Sequence, residues 1–250
     1  MNKTSIEWCD FSWNPVTGCF HSCRNVYCYN TVKKTAVLNR FGAKYLDSSG
    51  SFVFEKNWKS RESGDIHVAR PGEIYPAGYD PTYYPHRLKE PLKVKTPSRI
   101  FTVDTGDLMG KWVPRSWIES VLVIVSQCPW HTFMFLTKNP ERFNEFAFPR
   151  NAWIGTTVNS DKDIRRADIL RYVKAPVRFL SIEPLLGEIS FNLSGFEWII
   201  VGAQTGLNPA IPEKQWIDNI LTETNKHSIP IFMKGNLKPY CPITFQQFPQ

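Results

Sequence analysis

Residues 95–236 alternate between short β-type runs and amphipathic segments. Each run ends in a polar, charged or glycine-containing cluster, and an amphipathic stretch usually follows it. Because parallel strands need crossover connections, which are usually helices, this alternation predicts an α/β fold with a parallel sheet. The predicted strands are 99–103, 131–136, 152–155, 177–182, 198–201 and 229–233.

The predicted helices lie between these runs. They begin near Pro114, at Pro140, at Asp161 and at Pro212, where proline or a capping residue precedes the first turn. With residues 13–17 as a first strand, the count reaches about seven strands, whereas a full eight-unit barrel takes about 250 residues for its repeats. Residues 44–94 are rich in Ser, Gly, Pro and Tyr and show little periodicity. We therefore predict one domain over residues 1–250, a partial parallel (β/α) barrel of about six to seven strands with an irregular insertion around residues 44–94.

Three of the six cysteines lie within ten residues of one another, directly after the first predicted strand. Cys19, Cys23 and Cys28 have the spacing C-x3-C-x4-C. Thiolates this close in sequence meet at one metal with little loop-closure entropy. A four-iron cluster with a full protein ligand set uses four cysteines, so three would leave one iron open. The spacing therefore favours an iron–sulfur centre with an open coordination position.

Two alternatives to an iron–sulfur centre remain. His21 lies between Cys19 and Cys23, so three cysteines and one histidine are available for a structural zinc ion. Closed zinc sites usually use two short ligand pairs separated by a longer loop, and the chain has no second pair. The other alternative is that Cys19, Cys23 and Cys28 are unligated thiols. The isolated Cys9, Cys128 and Cys241 are interpreted separately, as small buried hydrophobes.

Polar residues follow the predicted strands. Because parallel strands end at one edge of a sheet, these residues should gather in one cleft. Each has a simpler alternative: Asp104 and Asp107 as helix caps, Glu183 as a cap or an ion-pair partner. Tyr29, directly after Cys28, is placed beside the cofactor, with a packing aromatic as its alternative. The candidates for lining the cleft are Asp104, Asp107, Thr157, Glu183, Gly202 and Gln204.

Composition and charge indicate the size of the core, the kind of partner and the cellular location that we expect. Hydrophobic residues make up 42% of the 250 residues, which supports a sizeable core. The net charge of +7 favours anionic partners such as nucleic acid or nucleotides, although a basic enzyme without such a partner would show the same balance. No apolar run resembles a secretory signal or a membrane span, so we expect a cytoplasmic protein with reduced thiols and no membrane partner.

The cysteine loop after the first strand of a partial barrel resembles the radical S-adenosylmethionine superfamily. More closely, the chain resembles a phage-associated family of radical-SAM-like proteins of unassigned function. The spacing departs from the superfamily's common C-x3-C-x2-C by two residues before Cys28. The matching segments are 5–8 (SIEW), 13–19 (WNPVTGC), 28–29 (CY), 85–88 (PHRL), 90–92 (EPL), 136–138 (LTK), 140–142 (PER), 178–187 (RFLSIEPLLG) and 200–202 (IVG).

The resemblance implies a radical enzyme. Cys19, Cys23 and Cys28 would hold a 4Fe-4S cluster, and S-adenosylmethionine would chelate the open iron and be cleaved reductively to a 5′-deoxyadenosyl radical. The electron would come from a reductant protein such as a flavodoxin or ferredoxin. The substrate is unknown, with nucleic acid or a nucleotide as the candidate class.

A different class of function also fits the sequence. A non-catalytic nucleic-acid-binding protein, stabilised by zinc or by a cluster, would use some of the nine tryptophans and nine tyrosines to stack bases.

Overall fold

The computed structural model describes residues 1–21, 65–73, 76–77, 80–206 and 208–250, together with the backbone of 43–46 and 52–54. The α-helices of this part are α1 (Arg115–Gln127), α2 (Ile164–Arg171) and α3 (Lys214–Lys226). Single-turn or short 3-10 helices cover Pro85–Arg87, Pro91–Lys93, Pro140–Glu145, Asp161–Asp163 and Gly235–Leu237. The strands are β1 (Asn2–Lys3), β2 (Phe11–Trp13), β3 (Val16–Thr17), β4 (Ala43–Leu46), β5 (Phe52–Phe54), β6 (His67–Val68), β7 (Thr82–Tyr83), β8 (Arg99–Thr102), β9 (Thr132–Thr137), β10 (Ala152–Thr157), β11 (Val177–Ile182), β12 (Trp198–Val201) and β13 (Ile231–Met233).

An eight-stranded, mostly parallel sheet organises the molecule. Its order is β1-β2-β8-β9-β10-β11-β12-β13, and each pair from β2 to β13 is parallel, whereas β1 pairs with β2 in the antiparallel sense. The α/β class and the parallel sheet predicted from the alternation are therefore confirmed. Each strand from β8 onward pairs with the next in sequence, which is the order that short right-handed crossovers produce.

Two local predictions were wrong. The predicted first strand, 13–17, is divided: β2 joins the main sheet, while β3 pairs with β7 in a small separate sheet. Pro15 lies between them, has no N–H for a ladder and restricts Asn14 before it. The helix predicted from Pro140 is a 3-10 segment, and its last residue is followed by Phe146 in extended conformation.

The two faces of the sheet have different cores. One face packs against the helices, with Trp117, Val121 and Ile220 meeting the strand residues Ile100 and Phe135. The other face carries a smaller cluster that is mainly aromatic. Its buried members include Trp8, Phe101, Met134, Phe179, Trp198 and Phe232.

The carboxyl-terminal tail covers this aromatic cluster. The Phe248 ring lies 5.3 Å from the Trp198 ring, and the backbone of Gln246 forms an antiparallel bridge with Phe232. At the sheet's far edge, Glu7 accepts a hydrogen bond from the backbone N–H of Gly235 at 2.9 Å. The segment before β2 is thereby tied to the segment after β13.

The predicted insertion lies between β2 and β8. Its described parts hold the backbone of the antiparallel pair β4–β5, the strands β6 and β7, which form a short sheet with β3, and the 3-10 turns at Pro85–Arg87 and Pro91–Lys93. Trp13 donates its indole N–H to the carbonyl oxygen of Arg87 at 2.9 Å, which fixes the end of this region against β2.

Among the described residues, none of the helices combines the length and the apolar character that a membrane crossing requires.

Candidate functional site

The carboxyl ends of the parallel strands meet at one edge of the sheet, and this edge holds the strand-end residues singled out in the sequence. Thr157 is the last residue of β10, Glu183 follows β11, and Gly202 follows β12. Asp104 and Asp107 follow β8, and Gln204 lies two residues beyond Gly202. The structure thus brings all six to the same edge, while their roles as cofactor ligands stay predictions.

Cys19 starts from this edge too. Gly18, with a φ of 84°, donates its backbone N–H to the carbonyl oxygen of Thr105 at 2.9 Å and forms a parallel bridge with Gly106. A Cβ atom on Gly106 would lie 2.6 Å from the Gly18 carbonyl oxygen, so only glycine permits this approach. The bridge therefore anchors the residue before Cys19 beside the end of β8. The other predicted ligands, Cys23 and Cys28, and the predicted cofactor neighbour Tyr29 lie outside the described residues.

Asn14 braces the turn that follows β8. Its side-chain amide donates to Asp104, and its Oδ1 accepts hydrogen bonds from the Thr105 backbone N–H at 3.2 Å and hydroxyl at 2.9 Å. Val103, at the start of this turn, has a φ of 64°, a conformation that strains a β-branched residue. Such strain persists where the surroundings impose it, and it clusters at functional sites.

Asp107 is the centre of a buried hydrogen-bond network. Asp107 is only 3% exposed. Its carboxylate accepts hydrogen bonds from the Thr137 hydroxyl at 2.7 Å and from the backbone N–H groups of Met109 and Lys138, both at 3.0 Å. His21 Nε2 lies 2.8 Å from Asp107 Oδ2. Asp107 thus ties the ends of β8 and β9 to the cysteine segment, and it does not cap a helix, since α1 begins at Arg115.

His21 has a defined position between the cysteines. Its ring centroid lies 4.8 Å from that of Trp112, and its Nε2 faces Asp107. A carboxylate behind one imidazole nitrogen is the arrangement that orients histidine ligands of metals, with Nδ1 left for the metal. The described residues alone contain no cluster of three side chains able to hold a metal ion.

An ion pair joins two strand ends across a third. Lys234, after β13, donates to Glu183, after β11, and the side chains are 18% and 23% exposed. Between them, a Cβ on Gly202 would lie 3.0 Å from Lys234 and 3.1 Å from Glu183. Gly202 therefore leaves room for the pair, which is the ion-pair alternative given for Glu183.

Gln204 holds a donor without an acceptor. Its residue is 6% exposed, and its Oε1 accepts from the Ala210 backbone N–H at 2.8 Å, which fixes the orientation of the amide. Its Nε2 is buried with no acceptor among the described residues. A buried unsatisfied donor usually has a functional or solvent explanation.

The network partners Asn14, Thr137 and Lys234 were not among the candidate ligands. Asn14 was not recognised as a site residue because it lies inside the predicted strand 13–17. Its signal in the sequence is the following Pro15, which ends strand pairing. Lys234 and Thr137 had the same signal as the other candidates, since each lies at the end of a strand.

The isolated cysteines Cys9, Cys128 and Cys241 are all buried, as predicted. Burial, reinforced by the nearby Asp104 and Asp10 carboxylates, raises the pKa of the Cys9 thiol to about 12. Burial also raises the pKa of Cys128. Both thiols are therefore protonated at neutral pH in the folded protein.

At pH 8 we expect iodoacetamide to leave Cys9 and Cys128 unlabelled in the folded protein and to label both after unfolding in guanidinium. Peptide mass spectrometry measures the labelling. The same raised pKa also affects stability: because the folded pKa of Cys9 lies above the ordinary 9.0, the contribution of the protonated thiol to folding stability is present below pH 9 and declines as the pH rises toward 12. Equal labelling of Cys9 in both states would contradict its buried, protonated character.

The comparisons with known proteins support a fold and a family. Among solved structures, "Spore photoproduct lyase complexed with dinucleoside spore photoproduct" is similar, with a TM-score of 0.53 at 9% sequence identity, over 93% of this chain and 78% of that one. No curated protein matches the chain. A family model described as "Protein of unknown function (DUF5131)" matches residues 3–240. Since the match spans nearly the whole sequence, the chain belongs to the DUF5131 family.

Proposed function

We propose that the chain is a cytoplasmic radical S-adenosylmethionine-type iron–sulfur enzyme built on a partial (β/α) barrel. Cys19, Cys23 and Cys28 hold a 4Fe-4S cluster in this proposal, and the substrate is a nucleotide or nucleic acid. The observation that carries it is the anchoring of Gly18, the residue before Cys19, to Thr105 and Gly106 just beyond the carboxyl end of β8. Spore photoproduct lyase, whose fold is similar, is complexed in its solved structure with a dinucleoside spore photoproduct, which supports a nucleotide or nucleic acid as the substrate class.

The donor set and the edge fit the two cofactors. Three thiols are a suitable ligand set for a cluster with one open iron, and the buried Cys9 and Cys128 do not compete for it. The unsatisfied Gln204 Nε2 and the Glu183–Lys234 pair supply donors and an acceptor at the same edge for a polar cofactor. When bound, the cluster and S-adenosylmethionine supply a 5′-deoxyadenosyl radical, with the electron delivered by a flavodoxin or ferredoxin.

The protein's own contribution is placement and exclusion of water. The Asn14 brace supports the turn that holds Gly18, and the Asp107 network holds His21, so the described start of the cysteine segment is fixed against the ends of β8 and β9. The aromatic cluster around Trp198 and Phe179 fills one face of the sheet. In this proposal the reaction space lies at the carboxyl edge, and the packed aromatics keep water from reaching it along that face.

Anaerobic reconstitution with iron and sulfide tests the proposal. We expect a reduced four-iron electron paramagnetic resonance signal that changes when S-adenosylmethionine is added, because the cofactor binds the open iron. S-adenosylhomocysteine, which lacks the reactive sulfonium, serves as the control for cleavage to 5′-deoxyadenosine. A colourless protein holding one zinc ion would overturn the proposal.

The described tryptophans give the non-catalytic alternative little support, although Tyr172 is exposed. Base stacking needs exposed aromatic faces, and the described tryptophans are packed against the two cores. They are Trp8, Trp13, Trp112, Trp117, Trp130, Trp153, Trp198 and Trp216.

A further inference from the structure

A small basic cleft of about 260 Å³ opens beside the candidate site. One wall follows the end of β9, and the other comes from the segment before α2 and from α2 itself. The charged residues that line it are Lys138, Glu141, Lys162, Asp163, Arg165 and Arg166. We call this feature the basic cleft.

The basic cleft is continuous with the proposed active edge. The backbone N–H of Lys138 donates to Asp107 Oδ2 at 3.0 Å, and Asp107 is also the partner of His21. Arg166 donates to the carbonyl oxygen of Thr157, the last residue of β10, at 3.1 Å. A ligand in the cleft therefore lies beside the ends of two neighbouring strands that border the edge.

Four cations and two carboxylates line the basic cleft. The two carboxylates differ in how firmly each is paired with a cation. Asp163 is committed to the fold: its Oδ2 accepts from the Asn159 backbone N–H at 2.9 Å, and its Oδ1 holds Arg166 at 2.8 Å. That pair fixes the Arg166 guanidinium at the mouth of the cleft.

The second carboxylate, Glu141, is held only weakly by its partner Arg165. Glu141 and Arg165 are 2.9 Å apart, but their side chains are 49% and 84% exposed. Such surface pairs contribute only about 0–1 kcal/mol, so Arg165 exchanges to another anion at little loss. The exposed Lys162 has no ion-pair partner among the residues that the structure describes.

We propose that the basic cleft binds the phosphodiester backbone of a nucleic-acid substrate. This proposal rests on the proposed function, chooses nucleic acid from its two substrate classes and assigns the surface that binds it. Cations spread over two walls suit a repeating polyanion, and the half-buried Ile169 offers an apolar surface to a sugar. The net charge of +7 adds long-range attraction for the same class of partner.

The test measures binding of a fluorescein-labelled 12-nucleotide single strand by anisotropy, with and without the cluster. If about three phosphates are neutralised, affinity should fall about 20-fold between 50 and 200 mM salt. The double variant Lys162→Glu/Arg165→Glu should bind about one to two orders of magnitude more weakly at 50 mM salt and reduce the salt slope by about 1.4. Both side chains are exposed, and circular dichroism melting checks that the fold is kept.

The matched control is Arg150→Glu/Lys174→Glu, which changes the net charge by the same amount. Both residues are exposed and precede β10 and β11, at the opposite edge of the sheet. The control should bind like the wild type. Equal loss in both double variants, no binding by the wild type at 50 mM salt, or equal competition by polyglutamate would each overturn the proposal.

The two proposals fail separately. Protein that binds the oligonucleotide but never forms a cluster keeps the basic cleft as a nucleic-acid site and removes the radical chemistry. Protein that forms the cluster but does not bind the oligonucleotide keeps the chemistry and removes this substrate class.

Discussion

Replacing Cys19 with alanine should reduce the iron content after anaerobic reconstitution to background, and Cys23→Ala should do the same. With two thiolates left, a four-iron cluster loses a protein ligand on one more iron and is no longer retained. Iron and sulfide per protein, together with the visible absorbance of the cluster, measure the loss. We expect Cys19→Ala to lose iron without unfolding, because Cys19 is only half-buried at the sheet edge.

Cys128→Ala is the matched control for this result. Cys128 is fully buried in the core between α1 and β9, so its replacement removes a thiol without touching the edge. This variant should keep the iron content of the wild type even if it melts slightly earlier. Equal iron retention in Cys19→Ala and Cys128→Ala would refute the ligand assignment.

The sequence allowed the sheet to be predicted because each buried strand is a local signal. The runs at 177–182 and 198–201 coincide with β11 and β12, where β-branched and aromatic residues stand between polar clusters. The first strand was mislocated because its signal is short and Pro15 divides it between two sheets. Burial pattern alone does not tell which sheet a three-residue strand will join.

The position of the site was predictable from the sequence, but the hydrogen-bond and ion-pair partners of its residues were not. Topology carries strand-end residues to one edge, so Glu183, Gly202 and the acidic pair after β8 could be placed from the pattern. Their partners come from far along the chain, such as Asn14 for Asp104 and Lys234 for Glu183. These pairings depend on side-chain geometry in three dimensions, which periodicity does not encode.

Asp107→Ala should produce the largest loss of stability among the edge residues. The carboxylate serves the Thr137 hydroxyl, two backbone N–H groups and His21, and its residue is 3% exposed. Each buried donor left without an acceptor costs about 1–3 kcal/mol, so we expect a loss of about 3–5 kcal/mol in the free energy of unfolding. For a chain of this size, that lowers Tm by at least about 6 °C.

The conservative variant and a surface control separate the network from charge alone. Asp107→Asn keeps one acceptor oxygen, but its amide NH₂ group faces N–H and O–H groups that need an acceptor. Its Tm should therefore lie between those of the wild type and Asp107→Ala. Asp218→Ala removes a carboxylate whose ion-pair partner among the described residues is Lys214, and it should shift Tm by less than about 2 °C. Calorimetry on the three variants decides the matter: an Asp107→Ala protein that melts with the wild type would mean that the network does not hold the edge together.

Iron content adds a second readout to the same variants. Asp107 holds His21 between two of the proposed ligands, so Asp107→Ala should also lower cluster retention well below the melting temperature. His21→Ala removes the link but leaves the Thr137 and backbone bonds in place, so it should lower iron retention while Tm changes little. If both variants keep full iron, the bond between His21 and Asp107 does not position the cysteine segment, and Asp107 serves only the fold.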